Sequence, residues 1–456
     1  MPTIRGGCVR SSVEATVMVV EQRDTERRTD GQTTCDGDDL SNRGKSFDIP
    51  KALVWASYKQ VKANRGAAGC DKQTMQQFDE SRDRNLYKIW NRLSSGSYFP
   101  PPVLRKEIPK SDGRVRVLGI PTISDRIAQG AVKLFLQPML EEKFHIDSYG
   151  YRPNRSAHDA LEVTRQRCWR YDWVVEIDIK GFFDNVSHEL MLRALEHNKV
   201  PRWVLLYVER WLKAPMIDVE GRSESREIGT PQGGVISPLL ANLFLHYGLD
   251  LWLTRTQPDK PFARFADDAV IHCASQHSAD RLVEQLCGRL AKIGLELHPT
   301  KTRVVYVGRG AMPKGVAGKF TFLGYDFQRR TLADRHGCLF FRVAPGASMK
   351  AMKYITRTIK SWRIHRSSEA TVADIARRYN ATLRGWINYF GRYWYRVFSY
   401  RLWSIFQSRL VKWVKCKYRI GQRKAEAKLS RLRRSNPNLF AHWQLLRAPK
   451  ERSRAV

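Results

Sequence analysis

Apolar side chains recur along this chain with two different spacings, and the alternation of the two predicts a mixed α+β fold. Runs rich in β-branched residues predict strands, and apolar residues three and four positions apart predict helices. The predicted strands are Val103–Pro109, Val115–Ile120, Trp173–Asp178, Phe262–Phe265, Ala269–His272, Val304–Val307 and Phe320–Tyr325. The predicted helices are Ala52–Val61, Ser124–Phe144, a helix capped by Ser187, Pro238–Leu253, Ser278–Ile293, Met349–Tyr379 and Ala381–Lys417.

The balance of charges indicates a polyanionic partner. The 456 residues include 79 Lys and Arg against 45 Asp and Glu, a formal net charge of +34. The excess is concentrated in residues 341–456, which hold 28 basic and 4 acidic side chains. Because each phosphate contact releases a condensed counterion, nucleic acid is the predicted partner and a membrane surface is the weaker alternative. Residues 1–46 are polar and nearly balanced in charge, and we expect a disordered tail there.

Neither the cysteines nor the longest apolar run indicates a secreted or membrane protein. Eight cysteines are scattered without a C-x-x-C pair, which is typical of reduced, mostly buried thiols. Polar residues interrupt the stretch Val235–Leu253, so we expect a buried helix there and no membrane-spanning segment. The expectation is a cytoplasmic protein of bacterial type without a membrane partner.

Acidic residues stand at two places where packing alone would not require them. Asp178 ends a strand with a buried pattern, and Asp267 and Asp268 follow a later apolar strand at a tight turn. A carboxylate at a strand end that meets carboxylates on a hairpin turn forms the hard-oxygen site that Mg²⁺ prefers. Two such ions can activate a hydroxyl nucleophile and stabilise a leaving oxygen. Taken singly, the same residues could form a polar turn and a helix cap.

Eight short motifs occur in a fixed order around these acidic residues. They are Ile108-Pro-Lys-x-Asp-Gly, Arg116-x-Leu-Gly-Ile-Pro-Thr, Ser148-Tyr-Gly-Tyr-Arg-Pro-Asn-Arg-Ser, Asp178-Ile-Lys-Gly-Phe-Phe-Asp, Thr230-Pro-Gln-Gly-Gly-Val-Ile-Ser-Pro, Phe265-Ala-Asp-Asp, Leu297-x-x-x-Lys-Thr and Phe322-Leu-Gly-Tyr. Asn64-Arg-Gly-Ala-Ala-Gly-Cys-Asp precedes them, and Leu383-Arg-Gly-Trp-Ile-Asn-Tyr-Phe follows. Between about residues 50 and 420 the sequence therefore resembles the reverse transcriptases encoded by group II introns, the intron-encoded maturases.

The resemblance implies a right-hand polymerase with fingers, a palm whose antiparallel sheet bears the aspartates, and an α-helical thumb. The expected domains are a tail at residues 1–46, an N-terminal extension at 47–100, fingers and palm at 101–335, a thumb or maturase domain at 336–418 and a basic DNA-binding segment at 419–456. Only 40 residues and one histidine follow Cys416, so we expect no His-Asn-His endonuclease.

The resemblance also assigns the residues of the reaction. The catalytic residues would be Asp178, Asp267 and Asp268, and the ligands of two Mg²⁺ ions would be Asp178, Ile179, Asp267 and Asp268. The nucleotide-binding residues would be Lys110, Arg116, Phe183, Gln232 and Lys301. Of these, Lys110 and Arg116 would grip the triphosphate, Phe183 would exclude a ribose 2′-hydroxyl, Gln232 would contact nucleotide and template, and Lys301 would donate a proton to pyrophosphate.

A second group of candidates lies towards the C-terminus. The primer grip would be Leu323 and Gly324, and the RNA-binding residues would be Arg384, Trp386, Arg392, Lys412 and Lys415. Aromatic stripes at helical spacing usually form core, so burial is the alternative for the tryptophans. Basic residues almost without acidic neighbours favour an RNA-binding face. Phe265 stands where many relatives carry Tyr, a change that removes one hydroxyl near the primer end and leaves the metal ligands intact.

The predicted function is RNA-directed DNA synthesis for a group II intron, together with binding of the intron RNA to assist splicing and mobility. The implied partners are intron RNA, an RNA template, a DNA primer or target, and dNTPs. The alternatives are a catalytically silent RNA-binding splicing factor, an RNA-dependent RNA polymerase, and a reverse transcriptase recruited to host defence. For single residues ordinary roles stay open, because Lys110, Arg116 and Lys301 could be solvated charges and Phe183 a core aromatic.

Overall fold

The computed structural model describes residues 45–109, 115–333 and 336–447, which form two compact units. The larger unit contains residues 45–160 and 177–303, and the smaller one contains Leu161–Glu176 and 304–447. Lys110, the Ser111-Asp112-Gly113 turn and all but the last two residues of the expected tail lie outside the described residues. The predicted α+β class is confirmed, because both units combine helices with antiparallel strand pairs.

Helices dominate the described part of the chain. In chain order, the α-helices are α1 (Lys51–Ala63), α2 (Met75–Glu80), α3 (Arg82–Ser94), α4 (Ile123–Glu141), α5 (Ala157–Arg167), α6 (His188–His197), α7 (Arg202–Lys213), α8 (Ser237–Leu245), α9 (Leu251–Thr256), α10 (Gln276–Ala291), α11 (Met349–Ser361), α12 (Val372–Phe390), α13 (Tyr395–Tyr418) and α14 (Gln422–Ser435). The strands are β1 (Val103–Pro109), β2 (Val115–Ile120), β3 (Trp173–Ile177), β4 (Met216–Ile217), β5 (Ser223–Glu224), β6 (Phe262–Phe265), β7 (Asp268–Cys273), β8 (Arg303–Tyr306), β9 (Lys319–Phe322), β10 (Tyr325–Ala333) and β11 (Leu339–Ala347). A π-helical turn at His246–Asp250 joins α8 to α9, and 3₁₀-helices occupy Phe182–Asp184, Ile364–Arg366 and Ala441–Arg447.

One sheet of the larger unit has the strand order β2-β1-β4-β5. β1 and β2 cover the residues predicted for them and pair antiparallel along their whole length. β4 runs parallel to β1 and antiparallel to β5. The sheet carries Arg116 on β2, and the Gly119 N–H of the same strand donates a hydrogen bond to the Gln232 carbonyl at 2.8 Å. The sheet therefore fixes the position of the Pro-Gln-Gly turn.

The last acidic motif lies on a hairpin formed by β6 and β7. The two strands pair antiparallel with Phe265 opposite Asp268, so only Ala266 and Asp267 form the turn. Asp268, which we expected in the turn, is instead the first residue of β7, because two residues suffice to reverse a hairpin. Ala266 has a φ of 56°, a left-handed conformation that some two-residue turns require and that glycine usually supplies.

The helix predicted at Pro238–Leu253 is interrupted in its middle. α8 ends at Leu245, the π-helical turn follows, and α9 continues the path to Thr256. A π-turn changes the hydrogen-bonding step and therefore the direction of the side chains that follow it. Asp250, the last residue of this turn, is fully buried. A charged residue is thereby placed in the core of the larger unit.

Three strands in the order β11-β10-β9 form the sheet of the smaller unit. The single strand predicted at Phe320–Tyr325 is wrong, because Leu323 and Gly324 form a two-residue turn between β9 and β10. Their φ values of 49° and 76° are typical of type I′ hairpins. The long β10–β11 hairpin was not predicted, since basic and polar residues obscure its alternation.

The helices predicted at Met349–Tyr379 and Ala381–Lys417 are wrong in their boundaries, and three helices, α11 to α13, occupy this region. Arg363 and Trp394 adopt positive φ at the two breaks. A capping box at Thr371 begins α12, which runs through the gap that we had placed between the predicted helices. Local capping and backbone conformation therefore decided the boundaries that apolar spacing could not.

Tryptophans form much of the core of the smaller unit. The Trp362 ring stacks on Tyr379 and on Trp386, with centroids 4.3 and 5.7 Å apart, and Trp413 is fully buried. The alternative role as core residues is thus confirmed for Trp386 and Trp413, whereas Trp362 is only half-buried. The basic residues between them occupy the remaining faces of the helices.

Two expectations about the whole chain can be compared with the described residues. Across 45–109, 115–333 and 336–447, no helix is long and apolar enough to cross a membrane. The six cysteines in these ranges are free thiols, and three of them, Cys287, Cys338 and Cys416, are exposed. The prediction of mostly buried thiols is wrong for the described residues, since only Cys168 and Cys273 are buried, and the reduced state stays a prediction.

Candidate active site

Two of the predicted carboxylates lie within electrostatic range of each other in the larger unit. Asp178 directly follows β3, and Asp267 is the second residue of the β6–β7 turn. Burial raises the pKa of the Asp267 carboxyl, and the negative charge of Asp178 raises it further, while Arg116 and Arg264 oppose the shift. Carboxylates that repel each other in this way form a site that a bound cation would stabilise.

Backbone hydrogen bonds hold Asp178 beside the segment that carries Lys301. The His298 N–H donates to the Asp178 carbonyl at 2.7 Å, and the Lys180 N–H donates to the Glu296 carbonyl at 2.9 Å. Lys301 Nζ lies 2.8 Å from Asp178 Oδ2. The structure therefore joins two predicted site residues that are 123 positions apart in the sequence.

Ile179 faces Leu297 in an isolated antiparallel bridge. The hydrogen bonds of this bridge come from the residues on either side of Ile179, which are Asp178 and Lys180. The Ile179 carbonyl is therefore not used by the bridge. A backbone carbonyl is a hard oxygen donor for Mg²⁺, and on that basis Ile179 stays a predicted ligand.

Asp268 is exposed at the start of β7, and its place in a metal site stays a prediction. Within the three described ranges, no group of three Asp, Glu, His or Cys side chains is close enough to form a metal centre. The chemistry of the donors nevertheless fits Mg²⁺, because Asp178 and Asp267 supply carboxylate oxygens whose mutual repulsion a divalent cation would relieve.

Arg116 and Gln232 are joined by a direct hydrogen bond. Arg116 Nε donates to Gln232 Oε1 at 2.8 Å. Gly233 adopts a φ of 120°, and a Cβ at this position would overlap the Gly119 carbonyl oxygen, so the turn requires glycine here. The charge of Arg116 also opposes the rise in the pKa of Asp267, so the structure brings Arg116, and with it the bonded Gln232, near Asp267.

The adjacent rings of Phe182 and Phe183 have different environments. Phe182 is 2% exposed and packs against Phe244, with ring centroids 6.3 Å apart. Phe183 is only half-buried, and its carbonyl accepts a hydrogen bond from the Thr230 N–H at 2.7 Å. The core role therefore belongs to Phe182, and the backbone of Phe183 is hydrogen-bonded to the segment that carries Gln232.

Arg264 is a residue near the site that the sequence analysis missed. It is fully buried on β6, and its Nε and Nη2 contact the two carboxylate oxygens of Asp250 at 2.7 and 2.6 Å. Its Nη1 donates to the Ala266 carbonyl at 2.9 Å. A signal was available, because an arginine inside the apolar strand Phe-Ala-Arg-Phe requires a buried partner.

In the smaller unit, the predicted primer-grip residues form the β9–β10 turn. The Tyr389 hydroxyl donates to the Leu323 carbonyl at 2.8 Å, and a Cβ on Gly324 would lie 3.4 Å from the Phe390 ring. The Leu383–Phe390 motif of α12 therefore packs directly on this turn. The motif was recognised in the sequence, but the contact from Tyr389 was not foreseen. The primer-grip role of the turn stays a prediction.

The predicted RNA-binding residues divide into two groups. Arg384, Arg392 and Lys412 are exposed, and Lys415 is half-exposed. Trp386 is 8% exposed and stacks in the helical core, so the alternative that we gave for the tryptophans describes it. RNA binding stays a prediction for the four basic side chains.

Comparison with known proteins gives the same assignment as the motifs. A family model described as "Reverse transcriptase (RNA-dependent DNA polymerase)" matches residues 108–327, and a model described as "Group II intron, maturase-specific domain" matches residues 352–431. The chain belongs to the reverse transcriptases of group II introns. Its enzyme class is therefore RNA-directed DNA polymerase, and its family binds RNA, assists splicing and uses divalent metals.

The matches to individual relatives cover only part of this chain. Protein YkfC of Escherichia coli is 31% identical over an alignment of 282 residues, and the match covers 54% of this chain and 71% of YkfC. The group II intron-encoded protein LtrA of Lactococcus lactis is 34% identical over 212 residues, which are 46% of this chain and 35% of LtrA. The match thus spans about a third of LtrA. A structure of telomerase from Candida albicans is 13% identical with a TM-score of 0.41, over 81% of this chain and 67% of that one.

Proposed function

We propose that this protein copies RNA into DNA for a group II intron and binds the intron RNA to assist splicing and mobility. The observation that carries the polymerase part is the convergence of Asp178 and Asp267 with Arg116, Gln232 and Lys301 in the larger unit. These residues come from five separate motifs. Their meeting in one place is what a nucleotidyl-transfer site needs, because catalysis of this reaction consists mainly of positioning and charge stabilisation.

The carboxylates would hold the metal ions of the reaction. Asp178, Asp267 and Asp268, with the Ile179 carbonyl, are the proposed ligands of two Mg²⁺ ions. Bound ions of this kind activate a primer 3′-hydroxyl and stabilise the leaving pyrophosphate oxygen. The part of the chain itself is to hold Asp178 and Asp267 in range of each other before the nucleotide binds. Burial of Asp267 is the main cause of its raised pKa, and the nearby charge of Asp178 adds to it.

Arg116 and Lys110 would bind the triphosphate. The hydrogen bond from Arg116 to Gln232 uses Nε, and the two terminal guanidinium nitrogens would bind phosphate oxygens. Gln232 would contact the nucleotide and template from the adjacent turn. The pairing of the two side chains orients the guanidinium, which lowers the conformational entropy that nucleotide binding has to remove.

Lys301 would donate a proton to the leaving pyrophosphate. Its ammonium group is paired with Asp178, and the two side chains are 45% and 27% exposed, so the pair is accessible to a negatively charged substrate. Binding of cations by Asp178 would release the ammonium group for the phosphates. The ordinary alternative is a lysine that only balances the charge of Asp178.

Phe183 would select deoxynucleotides. Its side chain is half-buried and its backbone is hydrogen-bonded to Thr230, two residues before Gln232, and its ring would clash with a ribose 2′-hydroxyl. Phe183→Val should therefore increase the incorporation of ribonucleotides relative to deoxynucleotides in a primer-extension assay. If the wild-type enzyme already accepts ribonucleotides as readily, the gate assignment is wrong and an RNA-dependent RNA polymerase is favoured.

The maturase part of the proposal depends on the basic helices of the smaller unit. Arg384, Arg392, Lys412 and Lys415 reach solvent, and each phosphate that they neutralise adds a salt-dependent contribution to RNA affinity. A cytoplasmic ribonucleoprotein of bacterial type belongs to the same proposal. Intron RNA structure flanking the gene would support it, and its absence would favour a reverse transcriptase recruited to host defence.

Primer extension tests the central claim. An RNA template annealed to a DNA primer, with dNTPs and Mg²⁺, should be extended by the wild-type protein and not by Asp267→Asn. The matched control is Asp280→Asn, which removes an exposed carboxylate on α10 and should leave extension unchanged. RNA affinity is measured in parallel by filter binding. Tight RNA binding without extension by any of the three proteins would favour the silent splicing factor.

A further inference from the structure

A fully buried ion pair lies next to the turn that carries Asp267. Arg264 and Asp250 are both 0% exposed, and the guanidinium binds the carboxylate through two hydrogen bonds of 2.7 and 2.6 Å. Removing two charges from water is costly, and an apolar pair of the same volume is often as stable. Stability alone therefore gives no reason to place this pair behind the acidic turn.

The third donor group of Arg264 reaches the turn itself. Nη1 donates to the Ala266 carbonyl at 2.9 Å and to Asn242 Oδ1 at 3.0 Å. Ala266 has a φ of 56°, a conformation that is unfavourable for any residue with a Cβ and persists only where its surroundings impose it. The hydrogen bond to its carbonyl is such a restraint, one residue before Asp267.

The motif that begins at Ser148 encloses the same turn from the other side. Asn242 Nδ2 donates to the Gly150 carbonyl at 2.6 Å, and a Cβ on Gly150 would lie 2.5 Å from the Ala266 nitrogen. The Tyr149 N–H donates to the Arg264 carbonyl at 2.8 Å. Only glycine allows this close approach, so the motif is fitted to the backbone of Ala266.

We propose that Arg264 is a positioning residue for Asp267, acting with Asp250, Asn242 and Gly150. These four residues are called the turn clamp. The inference rests on the proposed polymerase function, because it assigns the clamp to the direction of a metal-binding carboxylate. Arg264 has no exposed surface and does not contact substrate. It fixes the Ala266 carbonyl, and the peptide plane that follows determines where the Asp267 side chain points.

Arg264→Lys tests the clamp while keeping the positive charge. Lysine has one ammonium group and cannot bind both Asp250 oxygens and the Ala266 carbonyl with the same geometry. We expect kcat for primer extension to fall roughly 100-fold, since a displacement of about 1 Å has that effect on positioned groups. The KM for dNTP and the Kd for primer–template should change by no more than about twofold.

Arg289→Lys is the matched control. Arg289 also donates hydrogen bonds into the π-helical turn, to the carbonyls of Gly248 and Tyr247 at 2.8 and 2.9 Å, but it has no hydrogen bond to the acidic turn. Its substitution should lower thermal stability without lowering kcat. Circular dichroism of both variants establishes that they fold. Should Arg264→Lys not fold, Asn242→Ala removes one acceptor of the same guanidinium and should lower kcat in the same direction, by less.

Two further measurements separate positioning from general destabilisation. Mn²⁺ binding, followed by electron paramagnetic resonance without nucleotide, should be at least about fivefold weaker in Arg264→Lys and unchanged in Arg289→Lys. Glycine adopts a positive φ at position 266 without steric cost, so the restraint from Arg264 matters less there. In an Ala266→Gly background, Arg264→Lys should therefore reduce kcat by a smaller factor than it does in the wild type.

The outcomes distinguish the inference from the function on which it rests. A wild-type protein that binds Mn²⁺ but extends no primer overturns the proposed function, and the Mn²⁺ comparison then decides the turn clamp alone. Equal Mn²⁺ affinity in wild type and Arg264→Lys overturns the clamp. An equal kcat loss in Arg289→Lys, or the same loss with and without Ala266→Gly, overturns it as well.

Discussion

The buried carboxyl group of Asp125 makes the stability of the larger unit depend on pH. Its side chain is 1% exposed, and Oδ1 accepts hydrogen bonds from the Tyr98 hydroxyl at 2.9 Å and from Trp211 Nε1 at 2.8 Å. Gln129 Nε2 donates to Oδ2 at 2.9 Å. Desolvation outweighs these bonds and raises the pKa of Asp125 from 3.8 to about 6.

The direction of the pH effect depends on whether the folded or the unfolded protein binds the proton of Asp125 more tightly. The pKa of Asp125 is higher in the folded than in the unfolded protein, so between about pH 4 and pH 6 the folded state binds more protons at this site. The contribution to stability is therefore full below about pH 4, decreases as the pH rises through this window, and stays low above it. A shift of about two pKa units corresponds to about 3 kcal/mol of unfolding free energy.

Asp125→Asn isolates this contribution, because asparagine does not ionise. The unfolding free energies of wild type and variant are measured in urea by tryptophan fluorescence from about pH 4 to pH 8. As the pH rises, the unfolding free energy of the wild type should fall by about 3 kcal/mol relative to that of the variant. Asp280→Asn, at an exposed site, should give a constant difference. A constant difference for Asp125→Asn would mean an ordinary pKa. A shift in favour of the wild type would mean that a cation such as Arg126 dominates.

The same variant should also affect the candidate active site. Gln129 Oε1 accepts a hydrogen bond from the Val235 N–H at 2.8 Å, so Asp125 orients the amide that holds the Pro-Gln-Gly turn. The amide nitrogen of an asparagine at this position would face Gln129 Nε2, so two hydrogen-bond donors would meet without an acceptor. We expect the KM for dNTP to rise about fivefold, the equivalent of one lost hydrogen bond, with no change in the Kd for primer–template.

Further substitutions test the contacts at the two predicted site regions. Tyr389→Phe removes the hydrogen bond to the Leu323 carbonyl, about 1 kcal/mol, and should raise the KM for primer–template about fivefold while the KM for dNTP stays constant. Gly150→Ala places a Cβ 2.5 Å from the Ala266 nitrogen and should abolish extension, whereas Gly288→Ala on α10 has open space and should have no effect in the same assay. Lys301→Gln should lower the free energy of unfolding by less than about 1 kcal/mol, because the ion pair with Asp178 is partly exposed. The same substitution should lower kcat in single-turnover kinetics. An unchanged kcat would mean that Lys301 only balances the charge of Asp178.

The contact between the maturase motif and the β9–β10 turn links the segment assigned to splicing with the turn predicted to hold the primer. Tyr389 and Phe390 end the α12 helix and touch the turn predicted to hold the primer. Substitutions in a segment assigned to splicing are therefore expected to affect DNA synthesis too. Splicing defects of such variants should be compared with their extension kinetics before either activity is assigned to the motif.

Local patterns in the sequence determined a large part of this fold. Strands β1 and β2 were predicted to the residue, because two short strand-like runs on both sides of an Asp-Gly turn signal indicate a hairpin without help from distant residues. Family membership was likewise available from the order of the motifs, and the family models match the region that they cover.

Only the tertiary structure decided which side chains meet. Lys301 and Asp178 form an ion pair across 123 positions, and the partner of Arg264 depends on a π-helical turn that apolar spacing does not reveal. Leu323 and Gly324 looked like a strand because an apolar run hides a turn whose conformation is stabilised from α12. A pattern along the chain records which face of an element is buried. Which partner covers that face, and at what distance, is set by the packing of segments remote in sequence, and the candidate active site is built from such contacts.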